Sequence, residues 1–377
     1  PENIAVYAPV LTKERQEDWN GVQILPGGRA DYEDDILLQH YKNRECNLLI
    51  TVGDIYQLRQ IPEWASKDEI LWVAWAAWDW LNLPPNLLGV MQAPVKIVPF
   101  CKYGERRFKE AGLENVDPAI WLGLDTERWQ PIDRVQYPKL MSSLGFSEES
   151  YNVVLVAANQ SRKCIRESLE GVLLFHQRYP EANVRLYLHT RVQGERNVEM
   201  DLIELGLVDI TSLPDEYQLD IGGFPESYMS IIFNCADVVL DVCMEGFGFS
   251  HTQAQACGVP VIYLSEGAGP ELVRFGVEVP YYSVDRHYNM VKPIPNPAHI
   301  GAALGVLFGK KQEGGGVAIR DMAASDWTRE NLSWDRIAEQ WIKVIDEVME
   351  VRWKHSMDIP PPSEDLVERS KKMVELN

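Results

Sequence analysis

A glycine-rich segment, residues 244–264, holds the residues whose types and spacing best suit the binding of a sugar-phosphate. Its apolar and polar runs predict a strand, a loop, a short helix and a buried strand. Ser250 and Gln253 have the spacing of a capping box, so the helix is predicted to begin near Ser250. The amino end of a helix carries unpaired N–H groups, and Gly246 and Gly248 would let the backbone approach a phosphate closely.

Charged side chains accompany this loop. Glu245 offers a carboxylate that can accept hydrogen bonds from sugar hydroxyls, and Lys163, with Arg162 beside it, offers positive charge for an anion. Asn159 and His251 are weaker candidates near the same loops. A structural alternative remains for each feature, because the glycines could form only a tight strand-to-helix turn and Arg162 could be a solvated surface charge.

Another candidate, Asp79, lies at the end of an apolar run in the first half of the chain. A doubly wound sheet places its ligand crevice at the carboxyl ends of its strands, so this carboxylate could position or deprotonate an acceptor hydroxyl. A capping or loop role is the alternative. The tryptophans around it, at positions 72, 75, 78 and 80, could stack on sugar rings or pack in the core.

The elements that must position these residues alternate between strand and helix in both halves, which predicts parallel sheets covered by helices. In the first half, strands are predicted at residues 4–10, 22–25, 48–52, 72–78 and 95–100, with helices at 32–41 and 105–111. In the second half, strands are predicted at residues 153–157, 184–189, 238–242 and 259–264, with helices at 165–179, 199–205, 228–235 and 252–257.

The length of the chain predicts two α/β domains, because a single hydrophobic core serves at most about 250 residues and the chain has 377. A proline-containing, charged stretch at residues 125–138 is the predicted linker. We therefore predict domains at residues 1–135 and 136–325, with helices at 326–377 returning to the first domain. After Pro1, the first predicted strand leads through a polar stretch into another strand, without a glycine-rich turn and helix between them. A first βα unit is therefore expected to be missing from this numbering.

Composition excludes several classes of partner. Thirty-six Lys and Arg against 56 Asp and Glu give a net charge of −20, which repels nucleic acids and anionic membrane surfaces. The six cysteines have no CxxC spacing and the seven histidines no ligand spacing, so neither a metal site nor disulfides are expected. No apolar run is long enough to span a bilayer and no signal peptide opens the chain, which predicts a cytoplasmic protein.

Four motifs, in order along the chain, resemble those of retaining glycosyltransferases of family four, also called glycosyl transferases group 1. The letters AANQSRK at residues 157–163 resemble a G-R-x-x-x-x-K loop, and EGFG with CGVPVIYLSEGAGPELV at residues 245–273 resembles the donor-site signature. Residues 120–131 resemble the I-x-x-G-V-D-x-x-x-F-x-P stretch at the end of the first domain, and residues 331–341 resemble the helix that returns to that domain. This resemblance implies the GT-B fold, in which two Rossmann-like, doubly wound domains face a central cleft.

The resemblance also implies roles for individual residues. Lys163 matches the lysine that neutralises the donor diphosphate, and Glu245 matches the first carboxylate of the E-x7-E motif, which contacts the donor sugar. Further positions also match the family motifs. The loop whose amides meet sugar hydroxyls and phosphate corresponds to Phe247 and Gly248, which have Gly246 and Phe249 beside them. Glu271 matches an acidic position that flanks the nucleotide site.

Two positions depart from the family pattern. The second glutamate of E-x7-E, which is expected to bind ribose hydroxyls, is Gln253, and an amide accepts fewer and weaker hydrogen bonds there than a carboxylate. The family arginine is Ala158, although Arg162 is near enough in sequence to compensate.

The expected function is that of a metal-independent, retaining glycosyltransferase without a cofactor. It would take a sugar from a nucleotide diphosphate sugar and pass it to a carbohydrate or other hydroxyl acceptor. Two alternatives remain open: a non-catalytic nucleotide-binding relative, suggested by Gln253 and Ala158, and a nucleotide-sugar epimerase of the same fold.

Overall fold

The computed structural model describes residues 4–8, 17–27, 36–58, 60–287 and 289–358. By its contacts the chain divides into two compact units, Pro1–Trp334 and Asp335–Asn377. The prolines at residues 360–362 and any helix after them lie outside the described residues, as do parts of the predicted strand 4–10 and helix 32–41. The predicted boundaries at 135 and 325, and the return of residues 326–377 to the first domain, remain predictions.

The described residues of the first half of the larger unit form six short strands in two sheets. The strands are β1 (Ala5–Tyr7), β2 (Glu17–Trp19), β3 (Val22–Leu25), β4 (Leu49–Gly53), β5 (Trp72–Ala76) and β6 (Lys96–Pro99). The helices are α1 (Leu37–Asn43), α2 (Ile61–Ser66), α3 (Leu88–Gln92), α4 (Lys102–Glu110) and α5 (Pro138–Ser143). The order β1-β3-β2 forms one sheet, and the parallel order β4-β5-β6 forms the other.

Strand β5 is the buried centre of the second of these sheets, and all five of its residues are buried. A parallel strand covered on both faces is expected to be apolar throughout, as WVAWA is. The four tryptophans of this region pack in the core, with exposed fractions of 0% for Trp72, 7% for Trp75, 1% for Trp78 and 6% for Trp80. Core packing, rather than stacking on sugar rings, is therefore their observed role.

The second half contains one six-stranded sheet and a hairpin. The strands are β7 (Tyr151–Val156), β8 (Val184–His189), β9 (Thr211–Ser212), β10 (Val238–Asp241), β11 (Val261–Leu264), β12 (Gly276–Val279), β13 (Tyr281–His287) and β14 (Met290–Pro295). The helices are α6 (Ile165–Arg178), α7 (Val198–Leu205), α8 (Glu216–Asp220), α9 (Glu226–Cys235), α10 (Phe249–Ala256), α11 (Gly269–Leu272), α12 (Pro297–Glu313) and α13 (Met322–Asn331). Helix α14 (Trp334–Asp358) makes up nearly all of the described part of the smaller unit.

The six-stranded sheet has the order β12-β11-β10-β7-β8-β9, and all of its ladders are parallel. The chain runs outward through β7, β8 and β9, returns to the centre, and runs outward again through β10, β11 and β12. The order therefore reverses between β7 and β10. A doubly wound sheet binds its ligand in the crevice at this reversal, outside the carboxyl ends of the two strands.

Helices α6 and α12 cover one face of this sheet with a continuous apolar cluster. Leu169 and Phe175 of α6 and Leu304 of α12 are buried against strand residues such as Leu155 and Leu186. The predicted alternation of the second half is confirmed, since β7, α6, β8, α7, α9, β10, α10 and β11 all occupy the predicted places within a few residues. Helix α12 and the hairpin of β13 and β14 were not predicted.

A buried charge cluster lies at the opposite, amino-terminal edge of the sheet. Asp237, 1% exposed, accepts hydrogen bonds from Arg134 Nη1 at 3.0 Å and Lys311 Nζ at 2.8 Å. Arg320 Nη2 donates to the carbonyls of Asn234 and Ala236, at the end of α9. Cations at the carboxyl end of a helix complement its partial negative charge, so this cluster is a structural feature of the fold.

The two halves of the larger unit also touch through the hairpin. Leu81 N donates to Val291 O at 2.8 Å, and Val291 N donates to Asn82 Oδ1 at 2.8 Å. Among the residues that the structure describes, no helix combines the length and the apolar character needed to cross a membrane.

Candidate active site

The site is built where two loops meet at the sheet reversal. The loop after β7 contains a 3-10 turn, Ser161–Lys163, and Cys164 follows it in the left-handed conformation with φ of 51°. The loop after β10 carries Glu245. Lys163 Nζ donates to Glu245 Oε1, so the lysine and the glycine-rich loop, 82 residues apart in sequence, lie side by side as the motifs implied.

Helix α10 begins differently from the prediction. Its first residue is Phe249 and its N-cap is Gly248, in the left-handed conformation with φ of 81° and without a side-chain cap. The predicted capping box of Ser250 and Gln253 is wrong, because Ser250 Oγ donates instead to Val156 O at 3.4 Å. Glycine is required at 248 both by this φ and by space, since a Cβ would overlap the His251 ring. The first-turn amides of α10 are thus left uncapped by any side chain.

Lys163 and Glu245 form a half-buried ion pair, with side chains 14% and 16% exposed. Burial would lower the pKa of Lys163, but its acidic neighbours Cys243 and Glu245 outweigh burial and raise it. Burial would raise the pKa of Glu245, but the charge and the hydrogen bond of Lys163 hold it below its ordinary value. Both groups are therefore charged at neutral pH.

Behind Glu245 lies a buried polar chain, of which the sequence analysis identified His251 but not Asp241 or Cys243. Cys243 Sγ is 3.0 Å from Glu245 Oε1 and 3.2 Å from Asp241 Oδ1, and His251 Nε2 is 3.1 Å from Asp241 Oδ2. Ligand atoms of Asp241, Cys243 and Glu245 lie within 4.8 Å of one another, a spacing that could hold a metal ion. The cation beside them here is Lys163. The sequence did carry a signal for this group, which is the alternate spacing of Asp241, Cys243 and Glu245 from the end of β10 onward. Alternate residues of an extended chain lie on the same face.

Asp79 faces this site from the first half. Its Oδ2 accepts a hydrogen bond from Arg162 Nη1 at 3.0 Å, and its Oδ1 is buried without a partner among the described residues. Burial raises the pKa of the Asp79 carboxyl to about 6, although Arg162 opposes the shift. Asp54, after β4, is a nearby second carboxylate whose pKa burial also raises. The structure thus brings Asp79 and Arg162 together, as neither motif alone indicated.

Gly246 lies where the two halves approach most closely at this site. A Cβ there would come 3.0 Å from Trp78 N and 3.3 Å from the Cβ of Ala77. Phe247 is buried and Phe249 is 45% exposed, with their rings edge to face at 5.2 Å. Gln253 is half-buried on α10.

Asn159 uses its side-chain amide to hold a neighbouring loop. Its Nδ2 donates to the carbonyls of Arg191, Val192 and Arg196, and its Oδ1 accepts from Arg196 N at 3.1 Å. These bonds occupy both N–H groups of the amide, so the side chain holds the loop at residues 191–196. The predicted contact of Asn159 with the substrate stays a prediction.

Glu271 contacts the first half of the chain. Its Oε2 accepts a hydrogen bond from Lys102 N at 2.7 Å, and its Oε1 accepts one from Trp121 Nε1 at 2.5 Å. Both donors belong to the first half, so Glu271 joins the two halves of the larger unit. Its predicted place beside the nucleotide site stays a prediction.

Known proteins resemble the chain in sequence and in structure. No protein-family model matches it. It is 24% identical over 215 residues to a D-inositol 3-phosphate glycosyltransferase of Geodermatophilus obscurus, covering 55% of this chain and 43% of that protein. The chain thus matches less than half the length of this relative.

Solved structures match over much more of the chain. Sucrose-phosphate synthase from Thermosynechococcus elongatus has a TM-score of 0.69 at 12% identity, covering 93% of this chain and 90% of that one. Anabaena Alr3699/HepE in complex with UDP-glucose has a TM-score of 0.65 at 14% identity, covering 87% and 86%. The catalytic domain of starch synthase IV from Arabidopsis thaliana, bound to ADP and acarbose, has a TM-score of 0.59 at 12% identity, covering 88% and 83%.

These likenesses establish the fold. The chain has the α/β, GT-B architecture of glycosyltransferases, as its motifs implied, and the resemblance to family-four enzymes is confirmed by the inositol-phosphate glycosyltransferase match.

Proposed function

We propose that this protein is a glycosyltransferase that moves a sugar from a nucleotide diphosphate sugar to a hydroxyl acceptor. The observation that carries the proposal is the meeting of Lys163, Arg162 and the uncapped first turn of α10 at the sheet reversal. Two cations and a helix amino end offer N–H donors there, which suits the oxygens of a diphosphate. Similar structures were solved with UDP-glucose and with ADP and acarbose, which supports a nucleotide-sugar donor.

Each of these cations is paired with a carboxylate in the structure. Glu245 neutralises Lys163, and Asp79 neutralises Arg162. In the proposed complex the diphosphate oxygens replace the carboxylates as partners of the cations. Glu245 then accepts hydrogen bonds from donor-sugar hydroxyls, and backbone amides of residues 246–249 meet the sugar and phosphate.

In the proposed reaction the bond between the anomeric carbon and the β-phosphate oxygen breaks, and its electron pair leaves with the nucleoside diphosphate. The acceptor oxygen bonds to the anomeric carbon, and its proton passes to the leaving phosphate oxygen. Asp79 orients the acceptor hydroxyl by accepting its hydrogen bond. Lys163, Arg162 and the α10 amides stabilise the developing diphosphate charge because they are oriented before reaction.

Retention of anomeric configuration and independence from metal are parts of this proposal. Retention is supported by the family resemblance of the donor motifs. Metal independence is supported by Lys163, whose ammonium group lies beside Asp241, Cys243 and Glu245, where a divalent ion would otherwise bind. No cofactor is required by the proposed chemistry.

The test begins with a panel of UDP-, GDP- and ADP-sugars, with thermal stabilisation by each nucleotide and turnover with sugar and polyol acceptors. NMR of the product reports the anomeric configuration. Saturable binding of one nucleotide and transfer with retention are expected. If no nucleotide diphosphate stabilises the protein, the assigned site is wrong.

Gln253 stands where the family motif has its second glutamate, and this difference favours one alternative, a nucleotide-binding protein without transfer activity. Nucleotide binding without turnover of any donor would support it. The epimerase alternative would instead convert a nucleotide sugar to its epimer when no acceptor is added.

A further inference from the structure

Glu271 connects elements of both halves through its two carboxylate oxygens. The first-half donors are Lys102 N, at 2.7 Å, and Trp121 Nε1, at 2.5 Å. Lys102 is the first residue of α4, whose N-cap Cys101 supplies no side-chain cap. A carboxylate at this helix end both satisfies an unpaired amide and complements the partial positive charge of the helix.

On its own side, Glu271 is held close to the donor loop. Ala268 N, just before α11, donates to Glu245 O at 2.9 Å, and Gly267 lies so near that a Cβ would come 2.7 Å from the same oxygen. Gln255 of α10 donates to Leu272 O at 2.8 Å and accepts from Phe275 N at 3.1 Å. The segment bearing Glu271 is therefore fastened both to Glu245 and to the helix that follows it.

On the other side, α4 is fastened to the segment that carries Asp79. Tyr103, next to Lys102, donates from its hydroxyl to Trp80 O at 3.0 Å. Gly104 packs against the Cβ of Trp78, which a Cβ at 104 would approach to 3.5 Å. The position of α4 thus sets the position of the residues on either side of Asp79.

We propose that Glu271 is a positioning residue that sets the separation of Glu245 and Asp79 across the cleft. This inference rests on the proposed function, in which these two carboxylates serve the donor sugar and the acceptor. It differs from the nucleotide-flanking role implied by the family motif. Removing the hydrogen bonds of Glu271 to Lys102 and Trp121 should misalign donor and acceptor. It should not remove any group that binds the nucleotide.

The experiment compares four variants with the wild type: Glu271→Gln, Trp121→Phe, the double variant, and Glu278→Gln as the matched control. Glutamine keeps one acceptor oxygen and the side-chain shape, so folding should survive. Phenylalanine removes the indole N–H but keeps an aromatic ring. Glu278 is an exposed carboxylate on β12 in the same half.

Kinetics and nucleotide binding separate positioning from contact. In Glu271→Gln we expect kcat to fall about tenfold while the nucleotide Kd stays within about twofold of the wild type. Trp121→Phe should lower kcat in the same direction, and the double variant should be no worse than Glu271→Gln alone, because the two residues share one interaction. Glu278→Gln should match the wild type. A nucleotide Kd raised about fivefold or more with kcat retained would overturn the proposal and return Glu271 to the nucleotide site.

Amide hydrogen exchange provides a readout that does not need turnover. In Glu271→Gln we expect faster exchange in peptides covering the first turn of α4 and residues 78–82, and no change in Glu278→Gln. Unchanged exchange in both peptides would overturn the positioning role. If the wild type transfers no sugar at all, the proposed function fails, while this exchange result still decides whether Glu271 positions the Asp79 segment.

Discussion

Arg162 donates to Asp79 at 3.0 Å, across 83 residues of sequence, and so joins a loop of the second half to a strand end of the first. The pair places a cation of the proposed diphosphate site in contact with the proposed acceptor carboxylate. A ligand oxygen that takes the Nη1 N–H of Arg162 competes with Asp79 for this donor. Donor binding and the freeing of the acceptor carboxylate are therefore linked in the proposed mechanism.

Ionisation of the buried Asp79 carboxyl should lower the free energy of unfolding. Burial raises its pKa from 3.8 to about 6, so the folded state holds this proton more tightly than the unfolded chain does. The wild type should therefore lose stability as the pH rises from about 4 to about 6, and the loss should persist above that range. Asp79→Asn should be more stable at pH 7 by roughly 1–3 kcal/mol and lack this pH dependence, while turnover falls about a hundredfold.

Urea denaturation across this pH range checks the Asp79 prediction. Asp209→Asn, which changes an exposed carboxylate, is the matched control. An Asp79→Asn variant that is less stable than the wild type at neutral pH would show that the pair with Arg162 outweighs the cost of burying the charge.

Loss of the Lys163 charge should weaken nucleotide binding strongly. Lys163→Met should raise the nucleotide Kd about tenfold to a hundredfold, because one charge-assisted contact to the diphosphate is lost. The variant also leaves Glu245 buried without its partner, so Lys163→Met should unfold more easily, and adding Glu245→Gln should recover part of that stability. Calorimetric titration with the nucleotide and thermal melts measure the two effects. Exposed Lys139→Met is the control, and equal nucleotide affinity in both lysine variants would contradict the site.

Removal of divalent metal should leave the proposed transfer unchanged. Lys163 supplies the positive charge beside Asp241, Cys243 and Glu245, so dialysis against EDTA is expected to alter neither nucleotide binding nor turnover. Activity that disappears with EDTA and returns with one added divalent ion would assign these three residues as its ligands.

Asn159 should act on the fold of its loop rather than on ligand contact. Asn159→Ala leaves the carbonyls of Arg191 and Arg196 and the amide N–H of Arg196 unpaired, which should cost about 1–3 kcal/mol of unfolding free energy. Urea denaturation measures the loss, and exposed Gln160→Ala is the control. A large loss of nucleotide affinity with unchanged stability would restore Asn159 as a ligand contact.

Asp237 should matter for stability alone. Asp237→Asn leaves Arg134 and Lys311 buried without their carboxylate, which should cost about 3–5 kcal/mol. The nucleotide Kd of the folded variant should not change, because the cluster lies at the edge of the sheet opposite the proposed site. Denaturation and calorimetry on one preparation test both statements, and a weakened nucleotide Kd in the fully folded variant would contradict the second.

Much of the second half follows from the sequence because its determinants are local. Strand β8 occupies the predicted residues 184–189, and α7 ends at Gly206, which adopts the left-handed conformation expected of a helix-ending glycine. Gly258 likewise follows α10 with φ of 72°. Apolar periodicity and glycine placement act within a few residues, so they can be read without knowing the tertiary structure.

The start of α10 shows where local reasoning fails. Ser250 and Gln253 have the spacing of a capping box, but Ser250 Oγ bonds to Val156 O, on a strand 94 residues away in sequence. Gly248 takes the N-cap position instead because its left-handed turn fits against the His251 ring. A bond to a distant strand thus replaces the local capping bond that the spacing predicts.

The sequence by itself determined the kinds of element, their order, and the presence of Lys163 and Glu245 in loops that follow strands. Only the tertiary structure decided which distant groups meet: Arg162 with Asp79, and Glu271 with Lys102 and Trp121. Local preferences are set by a residue and its near neighbours. These contacts span from 83 to 169 residues and depend on how sheets and helices pack together.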